Sequence, residues 1–94
     1  MLIAGRKVIH DAIARHSEWK ASLENWLKIT SSADWKNFTD IRKTWRSADY
    51  VAPHVVFNIA QNRARLITTI VYAATIVQIH EVLDHRTYDR KKFR

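Results

Sequence analysis

The stretch HVVFNIAQNRARLITTIVYAATIVQIHEVLDHRTYDR, residues 54–90, decides the fold of this chain. It contains three apolar runs rich in β-branched residues, at positions 54–59, 64–72 and 76–83. Two short breaks of polar or small residues, at 60–63 and 73–75, separate the runs. Runs of this length joined by short breaks are typical of strands in hairpins. The stretch therefore predicts a three-stranded antiparallel meander that ends in a polar, titratable tail.

Polar side chains recur where the predicted strands begin and end. They are Asn58, Asn62, Arg63, Arg65, His85, Tyr88 and Asp89. Neighbouring strands of a sheet lie about 5 Å apart, so we expect these groups to gather along one edge of the sheet.

Alternation of side chains sorts each predicted strand into two faces. In the second run, Arg65 and Leu66 point to opposite faces. Applied to the third run, the same rule places Ile79 and Glu81 on one face. His80 then lies on the other face, where we expect it to be partly buried.

The N-terminal half is predicted to supply one short strand and two or three helices. Residues 1–4 are apolar and form a candidate edge strand beside the meander. In residues 6–15 the apolar side chains recur every three or four positions, which places them on one face of a helix. Ser17 is then a candidate N-cap for a second helix that runs to about Ile29.

A polar break at residues 30–32 separates this helix from a third one. The third helix is short, and Asp34 or Thr39 is its candidate cap. Ala52 and Pro53 are expected to keep the backbone extended just before the meander.

Composition narrows the class of protein. At 94 residues the chain has room for one domain, residues 1–94. The expected fold is α+β, with a small antiparallel-rich sheet made of the short N-terminal strand and the C-terminal three-stranded meander, covered by two to three N-terminal helices. The chain has no Cys and therefore no disulfide framework. It shows no signal-peptide pattern and no run of the roughly 20 apolar residues that span a bilayer, so we expect a cytoplasmic protein with no membrane partner.

The charge of the chain favours a polyanionic partner. Sixteen Lys and Arg against nine Asp and Glu give a formal net charge of +7. Such a surplus suits nucleic acid or an acidic protein, although many small basic proteins bind nothing in particular. The cluster of Arg42, Lys43 and Arg46 has two interpretations of equal weight. Its cations either stabilise the C-terminal end of the third helix or face RNA.

Several fragments resemble, in order and spacing, the HigB family of bacterial toxins, members of the RelE-like mRNA interferase superfamily from type II toxin–antitoxin modules. These fragments are residues 33–37, 40–41, 47–51, 56–59, 65–67 and 88–90, together with Asn62 and His85. Three positions depart from the family pattern. Gln61 stands where the family usually has Gly, Ala64 where an aromatic residue is common, and Asp84 where Thr often precedes the His.

The resemblance implies a RelE-like fold and an endoribonuclease that cleaves mRNA, without a metal cofactor, on the translating ribosome. It implies Arg65, His85 and Tyr88 as catalytic residues. Among the polar residues of the sheet edge, Asn58, Asn62 and Arg63 are candidates for RNA binding. Arg90, Lys91 and Lys92 form a basic tail that either binds the RNA backbone or 16S rRNA, or is an exposed, solubilising terminus. The implied partners are a HigA-like helix-turn-helix antitoxin, mRNA and the ribosome with its 16S rRNA.

The chemistry of RNA cleavage suits these residue types. The reaction needs a base for the ribose 2′-OH, a fixed cation for the phosphate and an acid for the departing oxygen. A guanidinium such as that of Arg65 stays charged and offers planar donors, and imidazole groups such as that of His85 exchange protons close to neutral pH. Tyr88 is suited to stacking on a base or positioning a phosphate. Asp84 is not expected to orient His85, because adjacent side chains of an extended chain point to opposite faces.

A second hypothesis explains the same charge. The chain is then a non-catalytic basic RNA-binding or interaction module, for instance an inactive toxin homologue. No metal site is predicted, because the five His are scattered along the sequence without a ligand spacing.

Overall fold

The computed structural model describes residues 1–91 of the 94-residue chain. Its elements, in chain order, are strand β1 (Leu2–Ala4), helix α1 (Arg6–Arg15), a 3-10 turn (Ser17–Trp19), helices α2 (Lys20–Ser32) and α3 (Phe38–Thr44), strands β2 (Asp49–Val51), β3 (His54–Ile59) and β4 (Ala64–Val71), a second 3-10 turn (Tyr72–Ala74), strand β5 (Ile76–Asp84) and helix α4 (His85–Lys91). The predicted α+β class is confirmed.

The five strands form one sheet in the order β1-β5-β4-β3-β2. Strands β3, β4 and β5 are the predicted antiparallel meander, and its second and third strands end within one residue of the predicted positions, at Val71 and Asp84. β1 is the predicted edge strand and pairs with β5 in parallel. β2 was not predicted, and it pairs with β3 in antiparallel orientation. Ala52 and Pro53 form the turn between them instead of an extended segment.

Helices α1, α2 and α3 pack on one face of the sheet. Phe57 of β3 lies in the middle of this core. Its ring centroid is 5.3 Å from that of Trp26, 6.2 Å from that of Trp35 and 6.4 Å from that of Trp45. Burial of a large side chain stabilises a fold by roughly 2–3 kcal/mol, so these rings hold the helices against the sheet.

Helix α2 begins and ends at residues that differ from the predicted ones. The 3-10 turn comes first and puts Trp19, not Ser17, at the N-cap position. At the other end the helix continues to Ser32, through the predicted break. Thr30 is fully buried there, and the amino group of Met1 donates to its carbonyl oxygen over 3.3 Å. The same carbonyl accepts from the backbone N–H of Ala33 over 3.1 Å, so a local bond and a contact with the distant Met1 both lie at this helix end, and local composition does not show the second.

Helix α3 is capped by a residue other than the predicted Asp34 or Thr39. Asn37 is the cap, because its Oδ1 accepts a hydrogen bond from the backbone N–H of Asp40 over 2.9 Å. In return, Oδ2 of Asp40 accepts from the backbone N–H of Lys36 over 3.0 Å. The paired bonds fix the start of the helix.

The opposite face of the sheet carries Arg65. In the register this residue pairs with Asn58 of β3 and with Leu83 of β5, and directly paired residues point to the same face. The buried Ile67 lies on this face too. Helix α4 packs against β4 and β5 and follows directly on the end of β5.

A β-bulge overturns the alternation predicted for the third strand. Ile67 pairs with Glu81, but the next residue, Thr68, pairs with Ile79, so the register skips His80. One extra residue reverses the faces of every side chain beyond it. Glu81 therefore lies on the face opposite to Ile79, and His80 is exposed instead of partly buried.

Candidate functional site

Arg65 is the second residue of β4, and the residue is only 8% exposed. Its Nη1 donates to the carbonyl oxygens of Asn62 at 3.0 Å and Ala64 at 3.2 Å. Its Nη2 donates to Nδ1 of His85 at 2.8 Å. A buried charge is costly unless such partners satisfy it. These contacts therefore hold the guanidinium in one position.

The turn before β4 supplies one of the acceptors. Ala60, Gln61 and Asn62 have φ angles of 54°, 54° and 77°, in the left-handed region. This conformation costs a non-glycine residue on the order of 1–2 kcal/mol. The turn forms although Gln61 stands at a position where the family pattern has Gly. It aims the carbonyl of Asn62 at Arg65.

Both ring nitrogens of His85 are engaged. This residue is the first of α4, and its backbone N–H donates to the carbonyl of Arg63 over 2.8 Å. Nδ1 accepts from Arg65, since a guanidinium has no acceptor. Nε2 lies 3.1 Å from Oδ2 of Asp89, one helical turn later. The arrangement fits an imidazole that carries its proton on Nε2 and donates it to the carboxylate.

Asp84 serves the helix and not the imidazole. Its Oδ1 accepts from the backbone N–H of Thr87 over 2.6 Å, as an N-cap does. Hydrogen bonding from Thr87 lowers the pKa of the Asp84 carboxyl from its ordinary value of 3.8. The side chain thus bonds away from His85, as expected. The expected reason was wrong, because the chain is helical from His85 onward and not extended.

Tyr88 is the fourth residue of α4 and lies beside Arg65. The Cζ atom of Arg65 is 5.6 Å from the centroid of the Tyr88 ring, within cation–π distance. The two residues line an open pocket of about 370 Å³ together with Val56 and Asn58 of β3. Its other lining residues are Arg42, Arg46, Ser47, Ala48 and Asp49. The pocket is therefore bounded by the sheet, by α4 and by the segment from α3 to β2.

The predicted RNA-binding residues on the meander lie on two sides of the Arg65–His85 contact. Asn58 is directly opposite Arg65 in the register and lines the 370 Å³ pocket. Asn62 and Arg63 are exposed on the turn, and they line a second, shallower depression together with His85.

The remaining predicted RNA-binding residues belong to the C-terminal helix. Arg90 and Lys91 are exposed in its last turn. Nζ of Lys91 lies 3.4 Å from Oε1 of Glu81, so an exposed ion pair ties the helix to β5. Lys92 lies outside the residues that the structure describes.

Three residues of the site had no specific role predicted from the sequence. Asp89 was expected at the sheet edge, but its contact with His85 was not predicted; the i, i+4 spacing would have shown it had α4 been predicted. For Arg42 and Arg46 the sequence left open whether they stabilise the helix end or face RNA, and their place on the pocket wall depends on how α3 packs, which has no local signal. Ala64, in contrast, is fully buried in the core on the face opposite to Arg65. An aromatic residue there would pack in the core and not stack on a ligand.

Comparison with known protein families gives one match over most of the chain. The family described as HigB toxin, RelE-like toxic component of a toxin–antitoxin system, matches residues 19–91. No curated protein matches the chain. Within residues 1–91, no helix is both long and apolar enough to span a membrane. The same residues contain no group of three or more His, Asp or Glu side chains arranged to hold a metal ion.

Proposed function

We propose that this chain, which belongs to the HigB family of RelE-like toxins from toxin–antitoxin systems, is an endoribonuclease that cleaves mRNA on the translating ribosome and so inhibits translation. One observation carries the proposal. Nη2 of Arg65 lies 2.8 Å from Nδ1 of His85, and the two residues line different openings: Arg65 lines the 370 Å³ pocket, and His85 lines the depression beside Asn62 and Arg63. A fixed positive charge and an imidazole thus meet at the boundary of the two openings, where an RNA backbone that runs from one to the other would contact both.

Arg65 is the proposed phosphate-binding residue. Its two carbonyl contacts hold the guanidinium in place, so binding of the phosphate requires little reorganisation. Donors that are fixed before the reaction stabilise developing negative charge most effectively. Planar donor pairs also match the geometry of phosphate oxygens.

His85 is the proposed base. A phosphate oxygen that accepts from Nη2 of Arg65 competes with Nδ1 of His85 for the same donor and so releases the lone pair of Nδ1. Nδ1 then takes the proton of the ribose 2′-OH. The 2′-oxygen bonds to phosphorus, and the bond to the 5′-oxygen breaks, with that oxygen taking a proton from water. The hydroxide left by this water then takes the proton from Nδ1, which restores the neutral imidazole. Asp89 stabilises the imidazolium through Nε2.

Tyr88 and the polar rim are proposed to position the RNA. The Tyr88 ring lines the pocket and offers a stacking surface for a base. Asn58 offers amide donors and an acceptor on the pocket wall. Asn62, Arg63, Arg90, Lys91 and Lys92 add polar and cationic groups for mRNA or for the 16S rRNA of the ribosome.

The proposed reaction uses no metal ion, because Arg65 supplies the positive charge that a divalent cation otherwise provides. It takes place in the cytoplasm, where ribosomes translate mRNA. Cleavage of ribosome-bound mRNA by the purified protein in EDTA tests the first point directly.

A toxin of this family implies an antitoxin partner. We propose that it is a HigA-like helix-turn-helix protein encoded beside the toxin. Its acidic groups would complement the net charge of +7 and cover the pocket beside Arg65. Co-purification of the neighbouring gene product, with restored growth, is the expected result. A neighbour that neither binds nor protects contradicts this assignment.

The second candidate function is a non-catalytic RNA-binding or interaction module. The observation in its favour is that both ring nitrogens of His85 are already occupied, by Arg65 and Asp89. In such a protein the imidazole only ties α4 to the meander, and no proton transfer takes place.

Mapping of mRNA 5′ ends after induction separates the two functions. Growth arrest and new ends in translated mRNA are expected, and they should disappear when a drug stops translation initiation. Equal cleavage of naked and translated RNA contradicts ribosome dependence. No cleavage in either condition favours the binding module.

A further inference from the structure

We infer that Arg42 and Arg46 form a second phosphate site in the 370 Å³ pocket, and that it binds a phosphodiester of single-stranded RNA next to the one held by Arg65. The inference rests on the proposed function, since it takes RNA as the substrate. In this inference the wall of the pocket that carries Arg42 and Arg46 binds the phosphate next to the one bound by Arg65.

The charges that line the pocket favour an anion. Three arginines, Arg42, Arg46 and Arg65, line it together with one acidic residue, Asp49. The carboxylate opposes an anion, but the cations outnumber it. A pocket of about 370 Å³ also falls within the range of roughly 300–1,000 Å³ that small ligands occupy, so it has room for a nucleotide unit.

The two arginines on this wall are available to a ligand. Both are exposed, and within residues 1–91 neither makes a hydrogen bond or an ion pair with another side chain. Their neighbour Lys43 differs on both counts. Its Nζ lies 3.8 Å from Oδ1 of Asp40, and it does not line the pocket.

Stabilisation of the α3 C-terminus explains this arrangement less well. Arg42 lies in the last turn of the helix, where a cation interacts favourably with the helix dipole. Arg46 lies beyond the last helical residue, Thr44, yet it borders the same pocket. Lys43 lies in the same last turn and would interact with the helix dipole as well as Arg42 does. Only Arg42 of these two residues lines the pocket, so the dipole does not explain why arginines are found there.

The middle of the pocket suits the rest of a nucleotide. Asn58, opposite Arg65 in the register, presents an amide, and Tyr88 presents a ring. One phosphate at Arg65, the next at Arg42 and Arg46, and a sugar or base beside Asn58 and Tyr88 fit this arrangement of side chains. A backbone held at two points is fixed in direction as well as in position, which aligns the scissile bond with Arg65.

Binding of a fluorescein-labelled single-stranded RNA with 2′-O-methyl riboses tests the inference without cleavage, since the 2′-OH is blocked. Fluorescence anisotropy gives Kd over a range of salt concentrations. The double variant Arg42→Ala/Arg46→Ala is compared with Lys36→Ala/Lys43→Ala, which removes the same charge from surfaces outside the pocket. For single strands each lost phosphate contact lowers the slope of log Kd against log salt by about 0.7. We therefore expect a decrease of about 1.4 in the first variant and a clearly smaller one in the second.

Conservative variants guard against misfolding. Arg42→Gln/Arg46→Gln keeps polar side chains of similar length, and Arg42→Lys/Arg46→Lys keeps the charge. The glutamine pair should therefore show the same decrease of about 1.4 in the slope, and the lysine pair a much smaller one. Equal slopes for the pocket and control variants overturn the inference.

Single-turnover cleavage of ribosome-bound mRNA separates this inference from the proposed function. If the wild-type protein does not cleave but the salt slopes still differ, the nuclease proposal fails and the RNA site stands. If the wild-type protein cleaves, and Arg42→Ala/Arg46→Ala cleaves and binds RNA as Lys36→Ala/Lys43→Ala does, only the second phosphate site fails.

Discussion

Nη2 of Arg65 and Nδ1 of His85 lie 2.8 Å apart although twenty positions separate the two residues in the chain. The contact joins the second residue of β4 to the first residue of α4. Beside it, the backbone N–H of His85 donates to the carbonyl of Arg63 over 2.8 Å. The position of the imidazole relative to the guanidinium therefore depends on where α4 starts.

Replacing His85 by Ala should lower single-turnover cleavage of programmed ribosomes by roughly 10²- to 10⁴-fold, the effect of losing a positioned acid or base. Asp84→Thr should leave cleavage nearly unchanged, because Asp84 caps α4 and Thr is also a capping residue. Thermal melts check that both variants fold. Comparable large losses in the two variants would show that the adjacent residues act as one unit, which contradicts the separate roles described above.

Replacing Asp89 by Asn should lower the cleavage rate about 10-fold. The carboxylate accepts a hydrogen bond from Nε2 of His85 at 3.1 Å. A hydrogen bond to a charged group stabilises by about 1.5 kcal/mol or more, and we use the lower value because both side chains are half exposed. Loss of this stabilisation in the transition state corresponds to a rate about 10-fold lower. Asp11→Asn is the matched control, since it breaks another exposed i, i+4 pair, with Lys7, far from the pocket. Equal rates for the wild-type protein and the Asp89 variant would exclude a positioning role.

The meander and α1 could be predicted from the sequence because their signals are local. The apolar runs at 54–59 and 64–72 are bounded by polar breaks, and the periodicity of Arg6–Arg15 matches a helix. β2 was missed because Asp49–Val51 is a three-residue edge strand whose pairing comes from β3. α4 was missed because its sequence has no apolar stripe, and its start depends on the Asp84 cap.

The site was only partly predictable for the same physical reason. Arg65 lies at the start of the second predicted strand and His85 follows the end of the third. These strands are antiparallel neighbours in a meander, so the approach of the two residues follows from the strand order. The β-bulge at His80 changes which side chains of β5 point to each face of the sheet, and the apolar pattern of the sequence does not indicate it. The approach of Arg42 to the pocket requires the packing of α3 on the sheet, which no spacing in the sequence encodes.

Replacing Gln61 by Gly should stabilise the fold. Gln61 has φ 54°, which costs an L-residue on the order of 1–2 kcal/mol, and part of the gain is offset by the greater freedom of Gly in the unfolded chain. A net gain of roughly 0.5–1 kcal/mol corresponds to an increase of about 2–8 °C in Tm for a domain of this size. Gln61→Ala is the control and should not raise Tm, since Ala has the same steric cost. A lower Tm for the Gly variant would mean that the Gln61 side chain stabilises the turn.

The Asp84 cap should make the start of α4 sensitive to acid. At pH 7, Asp84→Ala should lower the free energy of unfolding by about 1 kcal/mol through loss of the cap, and Asp84→Thr by less. The pKa of the Asp84 carboxyl is lower in the folded protein than its ordinary value of 3.8, because the backbone N–H of Thr87 donates to the ionised form.

The direction of that shift sets the pH dependence. A depressed folded pKa means that the carboxylate contributes its full stability above the ordinary value and that the contribution is lost as pH falls through the lower, folded value. Thr does not titrate in this range, so Asp84→Thr is the reference. The Tm of the wild-type protein minus that of this variant should be constant from pH 7 down to about pH 5. Below about pH 4 this difference should decrease, because only the wild-type protein loses the contribution of the carboxylate. Thermal melts by circular dichroism at half-unit pH steps measure it. A difference that stays constant down to pH 2 would show that the ionised carboxylate of Asp84 does not stabilise the fold.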